Sequence, residues 1–126
     1  MQAALLVGIG GVVGALARYY AGLAIAQRVG TAFPVGTLVI NVTGCFMIGL
    51  IGTLAAERAT LVSPEVRLAA GVGFCGAYTT FSAFGLETVA LVRTGALAEA
   101  ALYVGLSNAL GVLAIFAGFW FARMLP

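Results

Sequence analysis

Residues 73–87 of this chain read GFCGAYTTFSAFGLE, which places glycines, hydroxyl side chains and a carboxylate in the middle of a hydrophobic segment. In a lipid bilayer, a backbone group or polar side chain without a hydrogen-bond partner is costly. Irregular backbone at membrane depth is tolerated where it is buried in protein or lines a water-filled path. The stretch therefore predicts an interruption that lines or supports a path across a membrane.

The composition around this stretch is that of a membrane protein. The chain has 126 residues, of which 63% are hydrophobic and 8% are charged, and its mean hydropathy is +1.15. Because a spanning helix takes about 20 apolar residues, the chain has room for four. We predict an all-α membrane protein with one four-helix transmembrane domain over 1–126, with spans at about 3–26, 34–56, 65–93 and 97–124.

The same composition excludes several classes of function. The chain has no Asp, Lys or His and only four Glu, which removes most general acid–base pairs, catalytic triads and oxygen-rich metal cages. We expect neither an enzyme nor a nucleic-acid partner. Cys45 and Cys75 lie in apolar runs, where cysteine usually behaves as a small hydrophobic residue, so we predict neither a disulfide nor a metal site for them.

The first two predicted spans each carry residues that are typical of contact with another helix or with a cavity. Gly10 and Gly14 are four residues apart and let another helix approach closely, while Arg18 either reaches the membrane interface or faces a protein cavity. In span two, Thr37 and Asn41 share a face at i, i+4 spacing. Asn41 either hydrogen-bonds a neighbouring helix or lines a pore, and the shared face with Thr37 favours the pore.

Residues 63–65 read SPE, which is typical of a helix start, and span three, residues 65–93, is longer than a membrane helix needs. Gly76, Thr79 and Thr80 weaken a helix here, because glycine is flexible and threonine hydroxyls compete for backbone hydrogen bonds. The composition is equally compatible with a kinked helix and with a true break. Backbone carbonyls unwound at a break can coordinate a small cation.

Further polar and aromatic side chains follow at helical spacing. Phe81 and Phe84 share a face, which is typical of packing, although their electropositive ring edges could contact an anion. Glu87 is a candidate functional residue unless it lies at the solvated interface, because ionisable groups inside a span are rare. In span four, Tyr103 and Ser107 are four residues apart and serve either as interhelical hydrogen-bonding groups or as part of a path.

The charges do not favour one orientation in the membrane. With four spans, both termini share a side, and the six arginines divide three against two or three, depending on Arg18. One side holds Arg58, Arg67 and Arg123, and the other holds Arg28 and Arg93. The positive-inside rule gives no clear preference, which leads to the hypothesis of insertion in both orientations and an antiparallel dimer.

Two motifs carry a resemblance to a known family. Residues 36–41 read GTLVIN and residues 76–84 read GAYTTFSAF. The second resembles the signature Gly-x-x-[Ser/Thr]-Thr-Phe-Ser-[Ser/Thr]-Phe of the Fluc (CrcB) fluoride channels of bacterial and archaeal membranes. The resemblance covers nearly the whole chain in length, in the layout of the spans and in charge balance.

The resemblance implies a multi-pass protein of a prokaryotic inner (plasma) membrane that exports fluoride passively and lowers cytoplasmic fluoride. It implies an antiparallel, dual-topology homodimer with two pores, and a helix break whose main-chain carbonyls at Gly76 and Thr79 hold a structural sodium ion. The implied fluoride-pore residues are Asn41, Phe81, Phe84, Tyr103, Ser107, Thr37, Thr80, Ser82, Glu87 and Arg18.

The chain departs from the family pattern at three positions. Ala83, Gly85 and Gly111 stand where family members often carry hydroxyl groups. These departures leave open slower conduction, or a heterodimer with a homologue in which this chain is a non-conducting partner subunit. A small dual-topology multidrug transporter is a weaker alternative, because that class needs a carboxylate in its first span and residues 3–26 contain none.

Overall fold

The computed structural model describes residues 1–58 and 60–126, and within these ranges all regular structure is helical, without a strand. The prediction of an all-α protein is therefore confirmed. The elements in chain order are α1 (Gln2–Val29), α2 (Val35–Glu57), α3 (Pro64–Val66), π1 (Arg67–Cys75), α4 (Gly76–Tyr78), α5 (Phe81–Arg93) and α6 (Leu97–Met124).

Three of these helices, α1, α2 and α6, are long and apolar enough to cross a membrane. The helix α6 has the predicted bounds. The helix α1 extends beyond the predicted end at residue 26 to Val29 and is capped by Gly30, whose φ of 78° lies in the left-handed region. Residues 64–93, here called the third segment, consist of shorter pieces. A fourth span therefore stays a prediction.

The third segment starts as its sequence predicts and then departs from a regular helix. The Ser63 hydroxyl accepts a hydrogen bond of 3.3 Å from the Val66 amide, and Pro64 occupies the first turn. The next nine residues, π1, form a π-helix. Long π-helices are rare, and shorter ones often occur at functional sites. Nothing in the sequence Arg67–Cys75 predicted this wider turn.

The helices α2 and α6 pack together through small residues. A Cβ atom on Gly49 would overlap the Ile115 carbonyl oxygen, and one on Gly118 would overlap the Phe46 carbonyl oxygen. Glycine at both positions therefore lets the two backbones approach closely.

The helix α1 packs against π1 in a similar way. A Cβ atom on Gly10 would overlap the carbonyl oxygen of Ala69, and one on Gly14 would overlap that of Phe74. The close approach predicted from these two glycines is confirmed, and it occurs within the chain.

Few of the large side chains in the described residues are fully enclosed within a single chain. Tyr103 on α6 is completely buried, whereas Phe81 at the start of α5 is 83% exposed. Cys75 is buried and Cys45 is partly buried, and both are free thiols. The apolar outer surface suits lipid or a second protein copy better than water.

Candidate ion pathway at the broken helix

The third segment contains a true break rather than a kink. The helix α4 ends at Tyr78, Thr79 and Thr80 have extended backbones with ψ of 157° and 114°, and α5 begins at Phe81. Gly76, which the sequence also suggested as a weak point, is helical. The unwound residues are therefore the two threonines, whose β-branched side chains favour extended backbone.

Asn41 on α2 supplies hydrogen-bond partners for the break. Its Nδ2 donates to the Thr80 carbonyl oxygen at 3.0 Å, and its Oδ1 accepts from the Thr80 amide at 2.8 Å. One planar amide thus satisfies both backbone groups of an unwound residue, which would otherwise be costly in an apolar environment. Asn41 keeps a second N–H and a second lone pair on Oδ1.

Arg18 on α1 reaches the same break. Its Nη1 lies 3.4 Å from the Thr79 carbonyl oxygen, a long distance for a hydrogen bond. The side chain lines an open cavity of about 820 Å³ together with Thr37, Thr80, Ser82 and Glu87. Of the two sequence interpretations, the structure supports the one in which Arg18 faces a protein cavity.

Glu87 on α5 joins three helices. Its Oε1 accepts a hydrogen bond of 2.7 Å from the Thr37 hydroxyl on α2, and its Oε2 accepts one of 2.6 Å from the Tyr103 hydroxyl on α6. The sequence singled out all three residues but did not pair them. The sequence did contain a signal for this pairing, because isolated polar groups in apolar spans tend to bond each other across helices.

Aromatic rings continue from this carboxylate towards the break. The ring centroids of Phe84 and Tyr103 are 5.2 Å apart, and those of Phe81 and Phe84 are 5.6 Å apart. Both pairs are tilted, the arrangement that the ring quadrupole favours over a face-to-face sandwich. The shared face predicted for Phe81 and Phe84 is confirmed.

Ser107 lies one turn after Tyr103 on α6, and its Oγ is buried without a hydrogen-bond partner in the described part of the chain. A buried hydroxyl without a partner is unusual and calls for an explanation. A ligand that accepts a hydrogen bond would provide one.

A second, smaller groove also borders the unwound backbone. It is lined by Asn41, Gly76, Thr79, Thr80 and Phe81, among others, and has a volume of about 350 Å³. Thr80 lines both spaces, and its hydroxyl lies 3.2 Å from that of Ser82. The groove and the cavity therefore both reach the break at Thr80.

The structure gathers the predicted site residues into two groups. The first is the Glu87 cluster, formed by Thr37, Phe84, Glu87 and Tyr103. The second is the Thr80 break, formed by Arg18, Asn41, Thr79, Thr80 and Ser82. Gly76 precedes the break, Phe81 follows it with a largely exposed ring, and Ser107 stands apart on α6.

The sequence of this chain is similar to a set of ion channels. A family described as "CrcB-like protein, Camphor Resistance (CrcB)" matches residues 5–119. Three similar relatives are each named "Fluoride-specific ion channel FluC". The protein from Acidobacterium capsulatum is 53% identical, with 90% of each chain covered. The protein from Solibacter usitatus is 50% identical, with 96% of this chain and 95% of the relative covered. The protein from Trichormus variabilis is 48% identical, with 94% and 86% covered.

These matches cover almost the whole chain, and they agree with its three long apolar helices. The chain is a multi-pass membrane protein. The names of its relatives describe a channel and not an enzyme, so the prediction that the chain has no enzymatic activity is confirmed by its family. The chain belongs to the CrcB family.

Proposed function

We propose that this protein is a fluoride-selective ion channel that lets fluoride leave the cell passively and so lowers cytoplasmic fluoride. The observation that carries the proposal is the near-full-length similarity to proteins named as fluoride-specific channels. The buried hydroxyl of Ser107, one turn after Tyr103 on α6, has no partner in the described residues and supports the proposal.

Several of the proposed pore groups suit an anion that must bind weakly and leave again. Ser107 has an unused donor, and Asn41 has a second N–H beyond the one given to Thr80. The ring edges of Phe81 and Phe84 carry partial positive charge. Weak donors at several sites allow entry and exit, whereas one strong cationic site would trap the ion.

The electrostatics of the larger cavity also support passage of an anion. Arg18 lines this cavity and attracts negative charge into it. Glu87 would repel an anion, but its two oxygens are held by Thr37 and Tyr103. In this arrangement Tyr103 gives its single proton to Glu87, so Ser107 is the α6 hydroxyl with donor capacity left for fluoride.

We further propose that the chain crosses the membrane four times as a single domain, 1–126, and works as an antiparallel homodimer in the inner membrane of a prokaryote. The third segment is apolar on both sides of its break, which supports the fourth span. Phe81 is 83% exposed beside the break, and a second copy would cover it. The even division of arginines supports insertion in both orientations.

The proposed dimer would carry a structural sodium ion held by the main-chain carbonyls of Gly76 and Thr79. These groups fit such an ion, because small hard cations prefer oxygen ligands and unwound carbonyls supply them at helix breaks. Each chain offers two such oxygens, so two copies would offer four. The ion would join the broken segments of both subunits, and Arg18, 3.4 Å from the Thr79 oxygen, would lie near it.

The test is ion efflux from liposomes that contain the purified chain and are loaded with fluoride or chloride, with a potassium ionophore to balance charge. Fluoride should appear outside, as read by a fluoride electrode, and chloride should stay inside. Liposomes with the Phe81→Ile variant, which changes the exposed ring, are the matched control and should not release fluoride. Equal chloride release, or no release by the wild type, would contradict the proposal.

One alternative has a specific observation in its favour. Ala83, Gly85 and Gly111 lack hydroxyl groups expected from the family, which would suit a non-conducting partner subunit. In that case the chain alone would release no fluoride, while liposomes containing this chain and a homologue would.

A further inference from the structure

The two carbonyl oxygens proposed as cation ligands have lost the amides that would normally bond them. In an unbroken α-helix, each amide donates to the carbonyl four residues earlier. The Thr80 amide would therefore bond the Gly76 oxygen, and the Ala83 amide would bond the Thr79 oxygen. In this structure the Thr80 amide donates to Asn41 Oδ1 at 2.8 Å, and the Ala83 amide donates to Thr80 Oγ1 at 3.1 Å.

We infer that Asn41 and the Thr80 hydroxyl are positioning residues for the cation site. Each captures the amide that would otherwise bond one of the two ligand carbonyls, so together they keep the Gly76 and Thr79 oxygens free of helical amide donors. The donor that remains beside the Thr79 oxygen is Arg18 Nη1, at 3.4 Å. The inference rests on the proposed cation site and assigns to Asn41 a role separate from contact with fluoride.

Asn41 stabilises the extended backbone of the break and also leaves the Gly76 carbonyl without its helical amide donor. Its second hydrogen bond, from Nδ2 to the Thr80 oxygen at 3.0 Å, fixes the orientation of Thr80 from both sides. With Asn41 removed, the Thr80 amide would have no partner in an apolar region and would gain one by rejoining the helix at Gly76. The Thr80 hydroxyl accepts a hydrogen bond from the Ala83 amide and so forms the N-cap of α5.

The surface of α2 next to Asn41 is consistent with its role as a positioning residue. Gly44 lies one turn after Asn41, and a Cβ atom there would overlap Thr79 Cγ2. On this face of α2, the side-chain amide of Asn41 bonds Thr80, and the missing side chain of Gly44 leaves room for Thr79. Asn41, Gly44, Gly76 and Thr79 all line the smaller groove, so the residues that hold the break and the proposed ligands meet in one place.

The experiment measures sodium affinity rather than transport. The thermal unfolding midpoint of the purified full-length chain in detergent is followed against sodium concentration, with N-methylglucamine chloride keeping ionic strength constant. We expect a saturable sodium-dependent shift for the wild type. In Thr80→Val and Asn41→Leu, the half-saturating sodium concentration should rise by about tenfold or more, as for other residues that orient metal ligands.

Three control variants separate positioning from general stability. Thr80→Ser keeps the hydroxyl acceptor and should keep half-saturation within about threefold of the wild type. Thr88→Val removes a hydroxyl that, within the described residues, bonds only the Phe84 carbonyl of the same segment, and it should lower the midpoint without changing half-saturation. Asn41→Asp keeps the acceptor for the Thr80 amide and adds negative charge, so its half-saturation should equal or fall below that of the wild type.

The outcomes distinguish this inference from the proposed function. Wild-type sodium affinity in Thr80→Val and Asn41→Leu, or affinity lost equally in Asn41→Asp, would overturn the inference alone. If Asn41→Leu fails to fold, the Thr80→Val and Thr80→Ser pair still decides the question. No sodium-specific shift in the wild type would overturn the cation site together with the inference, whereas fluoride selectivity is decided independently in liposomes.

Discussion

The Glu87 cluster and the Thr80 break lie in the same helical bundle and satisfy their polar groups in different ways. In the Glu87 cluster, side chains bond a side chain, because Thr37 and Tyr103 both donate to one carboxylate. At the break, side chains bond backbone, because Asn41 pairs with the amide and carbonyl of Thr80. The first group can rearrange by rotating side chains, whereas the second is part of the fold itself.

This difference predicts that the largest effect comes from removing Asn41. Asn41→Leu removes both side-chain hydrogen bonds to the Thr80 backbone, so we expect a loss of about 2–4 kcal/mol in the free energy of unfolding and fluoride efflux at background. Chemical unfolding in detergent and the liposome assay measure the two effects.

The matched control for this substitution is Asn108→Leu. Asn108 is exposed on α6, and its Nδ2 bonds the Val104 carbonyl of its own helix at 2.8 Å. Its replacement should change stability by no more than about 0.5 kcal/mol. Equal effects of the two substitutions would show that the hydrogen bonds to Thr80 do not hold the break.

A smaller effect is expected in the Glu87 cluster from Tyr103→Phe. The ring packing stays, but Glu87 Oε2 loses the hydrogen bond from Tyr103, which should cost about 1–3 kcal/mol of stability. We expect fluoride efflux to fall by roughly tenfold, because an unpaired carboxylate repels the anion more strongly. The control is Tyr20→Phe, since Tyr20 is 63% exposed; a comparable loss there would rule out the specific role of the cluster.

The smallest effect is expected from Thr37→Val, which removes one donor and leaves the other in place. We expect a loss of about 1 kcal/mol. A double-mutant cycle should show coupling of about 0.5 kcal/mol or more between Thr37 and Tyr103, because both bond one carboxylate. Coupling between Thr37 and Asn41 should be smaller, since no hydrogen bond joins them in the described residues; the reverse order would contradict the division into two groups.

The sequence was sufficient for the helical class and for the position of the interruption. Hydrophobic runs predicted the helices, and threonines beside glycine in an apolar segment indicated where a helix would be interrupted. Ser63 before Pro64 predicted the start of the third segment correctly, because capping is local and depends on a few adjacent residues.

The partners of the polar side chains could not be predicted in the same way. Which residue on α2 meets which residue on α5 or α6 depends on helix rotation and depth, and neither is fixed by periodicity alone. Asn41 was predicted to face a pore or a neighbouring helix, but its pairing with both backbone groups of Thr80 required the three-dimensional arrangement. The contact of Arg18 with the break could not be predicted for the same reason. It depends on how closely α1 approaches π1, which Gly10 and Gly14 determine.

The most direct test of the central claim is the ratio of initial fluoride to chloride efflux from liposomes containing only the wild-type chain. A fluoride-selective channel predicts a ratio of roughly 100 or more, because chloride is larger and the weak donors near the break suit a small anion. A ratio near one, or fluoride efflux no faster than from protein-free liposomes, would contradict the account.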